Sequence, residues 1–504
     1  MKISRKILIG IGSVVLLGII LVIVNLIAEN KIKTALDSKL KEAGGSYEEL
    51  DVNLLGGSIE VKQIKLNLAE KTLEASAVDL DGINVIEYLR TGNIEIGELS
   101  ITDPRFLIDN GKKDTVAKKP SEEGSDFKKK VLIENVKLTN AEVQILKEDS
   151  EDKLFSKFSK FALQKVKIDQ NTLKAPVPFE FEGYNFQSDT LYFQLNELHT
   201  VTAKEINAEN GHFEVVALKM LPNFSKEEHQ QHIPYEKDRY NFTFSNIQLG
   251  NLTWSMENDT LHLRNPYMEI NQPNLEIYRD KTPPDDPRQK SLYSQTIRNL
   301  PIKINFDSIV LKDGYILYEE RAQASRPPGS LDFSNLDATI YNFTNIGMEE
   351  PEFPKTEIDV QSLIFEKAPL KVHWEFDVSD RADHFQISGN MGAMASAEID
   401  EFLKPAMNVS TTGSIEDMQF SFSGDDDTGS GDMKLSYNDF KVEVLKDDGT
   451  EKNNFLSAIA NLVMNGTTSE ERQYKDVEVT RNKKKSFWNY LWIFIKEGAI
   501  KTLI

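Results

Sequence analysis

INFDSIVLKDGYILY, residues 304–318, carries the pattern that decides the fold. Its apolar residues stand at offsets 0, 2, 5, 7, 12 and 14, and Asp313 at offset 9 is followed by Gly314. The template returns at residues 94–108 (IEIGELSITDPRFLI, with Asp103) and 131–145 (VLIENVKLTNAEVQI, with Asn140). It returns again at 201–215 (VTAKEINAENGHFEV, with Asn210) and 242–256 (FTFSNIQLGNLTWSM, with Asn251). Residues 358–372 fit with Lys367 at that offset, and the first half alone recurs from Ile59, Leu73, Phe161, Leu331 and Leu435. Such self-similarity is the mark of a repeat architecture.

Offsets 0 and 2 share one face of a strand, as do 5 and 7. The odd step from 2 to 5 breaks the phase, and one extra residue restores it by bending the strand. An Asp or Asn at offset 9 tolerates left-handed dihedrals and bonds its own backbone, so it is expected to open a turn. Offsets 12 and 14 then begin a return strand. The prediction is a mainly β fold: a long, curved, antiparallel repeat sheet whose apolar face forms a groove. The plainer alternative is an ordinary antiparallel sheet with one buried face.

The lining residues of that groove are the template's apolar positions. They are Ile94, Ile96, Leu99 and Ile101 in one copy and Val131, Ile133, Val136 and Leu138 in the next. Phe242, Phe244, Ile247 and Leu249 follow, then Ile304, Phe306, Ile309 and Leu311.

Residues 7–27 form an apolar run long enough to cross a bilayer as a helix. Lys2, Arg5 and Lys6 precede it and place the N-terminus in the cytoplasm. A cleaved signal peptide is the competing reading, but Leu26-Ile27-Ala28 lacks the small residue expected three before a cut. The organisation is therefore an anchor at 1–28, a linker helix at 29–45, a repetitive β region at 46–452 and a helical C-terminal segment at 453–504. Ile32, Leu36 and Leu40 stripe the linker helix, and Gly44-Gly45 stops it. Residues 84–89 suit a helical turn. Residues 112–130, 222–237 and 279–287 read as loops, the last because its prolines remove ladder donors.

Residues 453–464 read as an amphipathic helix. Beyond it Arg481, Lys483, Lys484 and Lys485 precede Phe487, Trp488, Tyr490 and Trp492. This run is too short for a second span. Its aromatics suit a membrane interface or a docked partner, or else a helix that plugs the end of the sheet.

The net charge of −21 argues against nucleic acid, which needs clustered cations. Without cysteine there is no disulfide framework or thiol chemistry. No nucleophile elbow, phosphate loop or dinucleotide fingerprint occurs. His229 and His232 lie beside Glu227 and Glu228 with no third ligand fixed by spacing. The acidic turn at 424–432 lacks the downstream Glu of a calcium loop. Triplets such as Asn241-Phe242-Thr243 are expected by chance in Asn- and Thr-rich strands. No catalytic residue, cofactor site or metal site is expected, and the chain does not read as an enzyme.

The order of parts resembles the AsmA-like family of bacterial envelope proteins. The resemblance rests on the anchor and short helix, on LLGGSIEVKQIKL and GNIEIGELSITDPRFLI, on LPIKINFDSIVLKDGYILYEE with GSLDFSNLDATIYNFTN, and on KKKSFWNYLWIFIKEG. It implies an inner-membrane anchor, a periplasmic β-sheet and kinship with bridge-like lipid-transfer proteins. On that footing the expected ligand is the acyl chains of membrane phospholipid. The alternative is a non-enzymatic assembly factor that docks another envelope protein through its C-terminal segment.

Overall fold

The computed structural model describes residues 45–53, 55–68, 71–111, 129–149, 151–174, 177–258, 260–445 and 470–503. The expected anchor, linker helix and 453–464 helix lie outside these residues, as does most of the 112–130 loop. The described residues are mainly β, with 25 strands and five α-helices. The helices are α1 (Val85–Thr91), α2 (Lys226–His229), α3 (Tyr293–Arg298), α4 (Ser396–Met407) and α5 (Phe487–Leu503). The chain divides into two compact units, one holding residues up to 196 and 200–217, the other 197–199 and 218–504.

Strand pairing is mixed, which corrects the antiparallel expectation. In the first unit Ile94–Thr102 and Arg105–Asp109 both run parallel to Val131–Leu146. In the second, Thr260–Asn265, Tyr267–Asn271 and Asn274–Asp280 run in line, all parallel to Lys303–Arg321. The remaining pairs described are antiparallel. A parallel neighbour needs a crossover of a dozen or more residues. The segments 110–130 and 281–302, read as insertions or left unread between repeats, supply those crossovers.

Four of the six template copies are bent strands, and the copies at 201–215 and 358–372 are the expected hairpins. Asp103, Asn140, Asn210, Asn251 and Asp313 all take positive φ, between 44° and 58°. Lys303–Arg321 nevertheless runs straight through Asp313, and Val131–Leu146 through Asn140. Of these five only Asn210-Gly211 reverses the chain, pairing Glu209 with His212; the sixth copy reverses at left-handed Phe365 and Glu366, pairing Ile364 with Ala368. A single left-handed residue inside a ladder flips the side-chain phase and kinks the strand without ending it. The first phase break works the same way in the neighbouring strand: Lys165 and Asn342, which face template offset 3 across the ladder, are left-handed too.

These bends line up across neighbouring strands as polar creases. In the first unit the Ser76 hydroxyl donates to Asp103 (2.9 Å), and so does the Asn140 amide (3.1 Å). In the second, Ser245 donates to the Gln272 carbonyl (3.0 Å) and Gln272 donates to Asp313 (3.1 Å). The Asp313 N–H donates to Asp337 (3.0 Å). Side-chain bonds thus replace the ladder contacts that a bend disrupts.

α1 covers the 84–89 helical turn expected from sequence, capped by Asn84 and ended by left-handed Gly92. The 222–237 loop is more ordered than expected, because Ser225 and Glu228 form a reciprocal capping box around α2. Within the C-terminal segment read as helical, Glu470–Thr480 is a strand paired with Thr428–Val444. Its alternation, Val477 and Val479 buried between exposed neighbours, is the period-2 signal.

Candidate functional site

The expected groove residues meet two different fates. In the first unit Ile94, Ile96, Leu99, Ile101, Val131, Ile133, Val136 and Leu138 are all buried in one packed cluster. Cross-strand rows such as Leu80–Leu99–Val136–Leu163 fill its interior. These positions line no open groove; they are the core of this unit.

In the second unit a row runs Ile247–Ile270–Leu311–Ala338–Val360–Val372, all on one face through successive pairings. A second runs Phe242–Leu275–Ile316–Phe333–Ile364. Ile247, Ile304 and Ile309 are buried, whereas Phe242, Phe244, Leu249, Phe306 and Leu311 are half-buried. Met268, Ile270, Leu275 and Ile277 are half-buried too, and none of these residues joins the packed cluster of this unit. Among the described residues the face is therefore packed at its C-terminal end, and most of its apolar residues over strands Arg239–Gly250 to Asn274–Asp280 are half-buried.

At the packed end α5 lies on the sheet. Phe487 stacks on Trp374 (4.5 Å between centroids), and Phe494 stacks on Phe422 (4.8 Å). Tyr490 meets Phe385, and Gly498 lets the helix down onto Met433. Of the four aromatics expected at a membrane or partner, Phe487 and Tyr490 are thus core residues. Trp492 is half-buried near Phe402 of α4 (6.2 Å), and Trp488 is 57% exposed. Trp488 also donates to the Tyr293 hydroxyl (3.0 Å).

The basic residues before α5 hold it in place. Arg481 is buried and pairs with Asp426. Lys483 pairs with Asp426 (2.9 Å) and Asp427 (2.6 Å), and Lys485 with Glu236 and Asp285 (2.8 Å each). From sequence these cations suited a membrane interface, a docked partner or a helix plugging the end of the sheet, and their ion pairs within the chain accord with the last. The acidic turn at 425–427 was the signal that they had partners within the chain.

His199 and His229 were not expected to meet. Both are buried, their rings 5.9 Å apart, and His199 Nε2 accepts the Tyr240 N–H (3.2 Å). His232 stacks instead on Phe224 (3.5 Å). Burial, with the neighbouring histidine and the cations Lys237 and Arg239 adding to it, pushes both imidazoles down to about 4. Among the described residues no three His, Asp or Glu side chains stand where they could share a metal ion. Nor is any helix among them long and apolar enough to cross a membrane.

No family model matches the chain, and no curated protein matches it.

Proposed function

We propose that this is a non-enzymatic, membrane-anchored envelope protein of the AsmA-like kind, whose second unit holds lipid acyl chains on its half-buried apolar rows. The anchor at residues 7–27 would place it in the bacterial inner membrane with its bulk in the periplasm. One observation carries the reading. Leu275 and Ile270 lie in apolar rows that pass through Ile316 and Leu311 toward the packed cluster, yet both are only half-buried and neither belongs to that cluster. An acyl chain is the natural complement. Moving about 15 methylenes through water costs roughly 12 kcal/mol, at about 0.8 kcal/mol each, so lipid in transit needs such a path.

The test is native mass spectrometry of residues 45–504 purified without detergent. The C-terminal end must stay, because α5 completes the core. Bound phospholipid that is lost in Ile270→Asp and Leu275→Asp, with the fold intact, supports the reading. A well-folded, lipid-free protein sinks it. The scaffold alternative rests on exposed Trp488. It predicts that Trp488→Ala abolishes a protein complex while lipid content stays unchanged.

A further inference from the structure

Among the described residues the largest aliphatic exposures gather at one end of the first unit. Leu55 is 104% exposed, Ile86 80% and Leu89 78%. The first sits in the turn between strands Glu49–Asn53 and Ser58–Leu68, and the others are on α1. The two pieces are joined: the Ile83 N–H donates to the Gly57 carbonyl (2.9 Å), one residue before the Asn84 cap of α1. α1 buries none of its residues fully: Val85 and Tyr88 pack against the core of the unit, while Ile86 and Leu89 stand exposed among the described residues.

The surroundings are cationic. Lys129 lies over the Tyr88 ring (5.4 Å), and Lys130 joins the same end through its N–H to Asn93 (3.1 Å). Glu87, the acid of α1, is neutralised by Arg90. The Asn84 cap also donates to Glu95 (2.9 Å), but exposed aliphatic side chains beside Lys129 and Lys130, in a chain of net charge −21, suit an anionic lipid surface better than an acidic protein partner.

The chain outside the described residues also fits. Ser46 pairs beside Lys65, and the strand from there reaches Asn53 at the exposed end, about 23 Å away. As the helix expected from sequence, residues 29–44 would span about 24 Å, enough for an anchor ending near residue 28 to sit under that end.

We propose that Leu55, Ile86 and Leu89 form a tip that dips into an anionic phospholipid bilayer. This is distinct from the apolar rows of the second unit and does not depend on them. The shared premise is the anchor, and the labels below report the tip alone.

The cysteine-free chain makes the test direct. Leu55→Cys, Ile86→Cys and Leu89→Cys are each labelled in the full chain with an environment-sensitive fluorophore. The protein is then reconstituted in vesicles of phosphatidylethanolamine and phosphatidylglycerol. Lys71→Cys, exposed at the opposite end of the same strands, is the control. The expected result is loss of emission at the three tip positions with nitroxide-bearing lipids and protection from aqueous iodide, with the reverse at residue 71. Quenching by iodide but not by lipid at the tip overturns the proposal, as does failure of the chain to float with the vesicles. Shielding from both quenchers, with cross-linking between Leu55→Cys and Leu36→Cys, also overturns it, because the tip is then covered by the chain's own 29–43 segment.

Discussion

At the scale of single residues, the left-handed positions do the shaping. Asn251 takes φ 58° between strands Arg239–Gly250 and Thr253–Glu257. Asn251→Val should cost about 1–2 kcal/mol, because Cβ crowds the following carbonyl there, while Asn251→Gly should be close to neutral. Denaturant midpoints at unchanged slope would read the difference. The histidine pair gives a second prediction. An unfolded histidine titrates near 6.5, and these two are pushed down to about 4 when folded. Their contribution is therefore complete above pH 6.5 and is lost as the pH falls toward 4, where the unfolded chain takes up protons first. His229→Leu should flatten the acid limb of unfolding midpoints; an unchanged limb would remove the pair from that account. The left-handed backbone at the five Asp and Asn residues was legible from residue type and spacing; that four of them bend the strand without reversing it was not. The histidine pair was not, since His199 and His229 meet only through the fold.

At the scale of elements, α5 is positioned by what lies beneath it. Gly429 is the seat: a Cβ there would come 2.5 Å from Phe494 and 2.8 Å from the Tyr490 hydroxyl. Gly429→Val should lift the helix and expose the lysines before it, giving faster tryptic cleavage after Lys483 to Lys485 while the strands stay paired. Unchanged cleavage would mean that α5 is not seated by close approach. This element shows where local reading stops. An apolar run of aromatics announces burial against something, but sheet, bilayer and partner give the same composition. Strand direction was hidden for a related reason. A bent strand and a hairpin share one apolar pattern, and the difference lies in whether the left-handed residue is followed by a second, as in Asn210-Gly211. Asp313-Gly314 carries a similar pair of letters without reversing, because neighbouring strands hold the ladder on both sides of it.

At the scale of the whole molecule, the same repeat serves two ends. The first unit turns its rows into a core, and the second leaves part of its apolar face half-buried. One lesion should therefore behave in two ways. Val136→Asp, at a position with no exposure, should prevent folding of its unit, whereas Ile270→Asp should keep the fold and lose bound lipid. Circular dichroism beside lipid analysis separates them, and equal damage at both would mean that the half-buried rows are core as well. Apolar periodicity told which residues face inward in both units. It carried no information on whether protein or something else would fill the space, because Ile304 and Leu311 belong to one template copy and differ only in what packs over them.

In the parallel pairs, register is the same on both sides of the bend. Ile94 faces Val131 and Asp109 faces Leu146, and likewise His262 faces Lys303 and Asp280 faces Arg321. A residue gained or lost within such a strand turns every later side chain to the wrong surface. One gained between 110 and 130 leaves the ladder untouched. Length can thus drift freely in the crossings, while the sheet itself can grow only by whole strands added side by side.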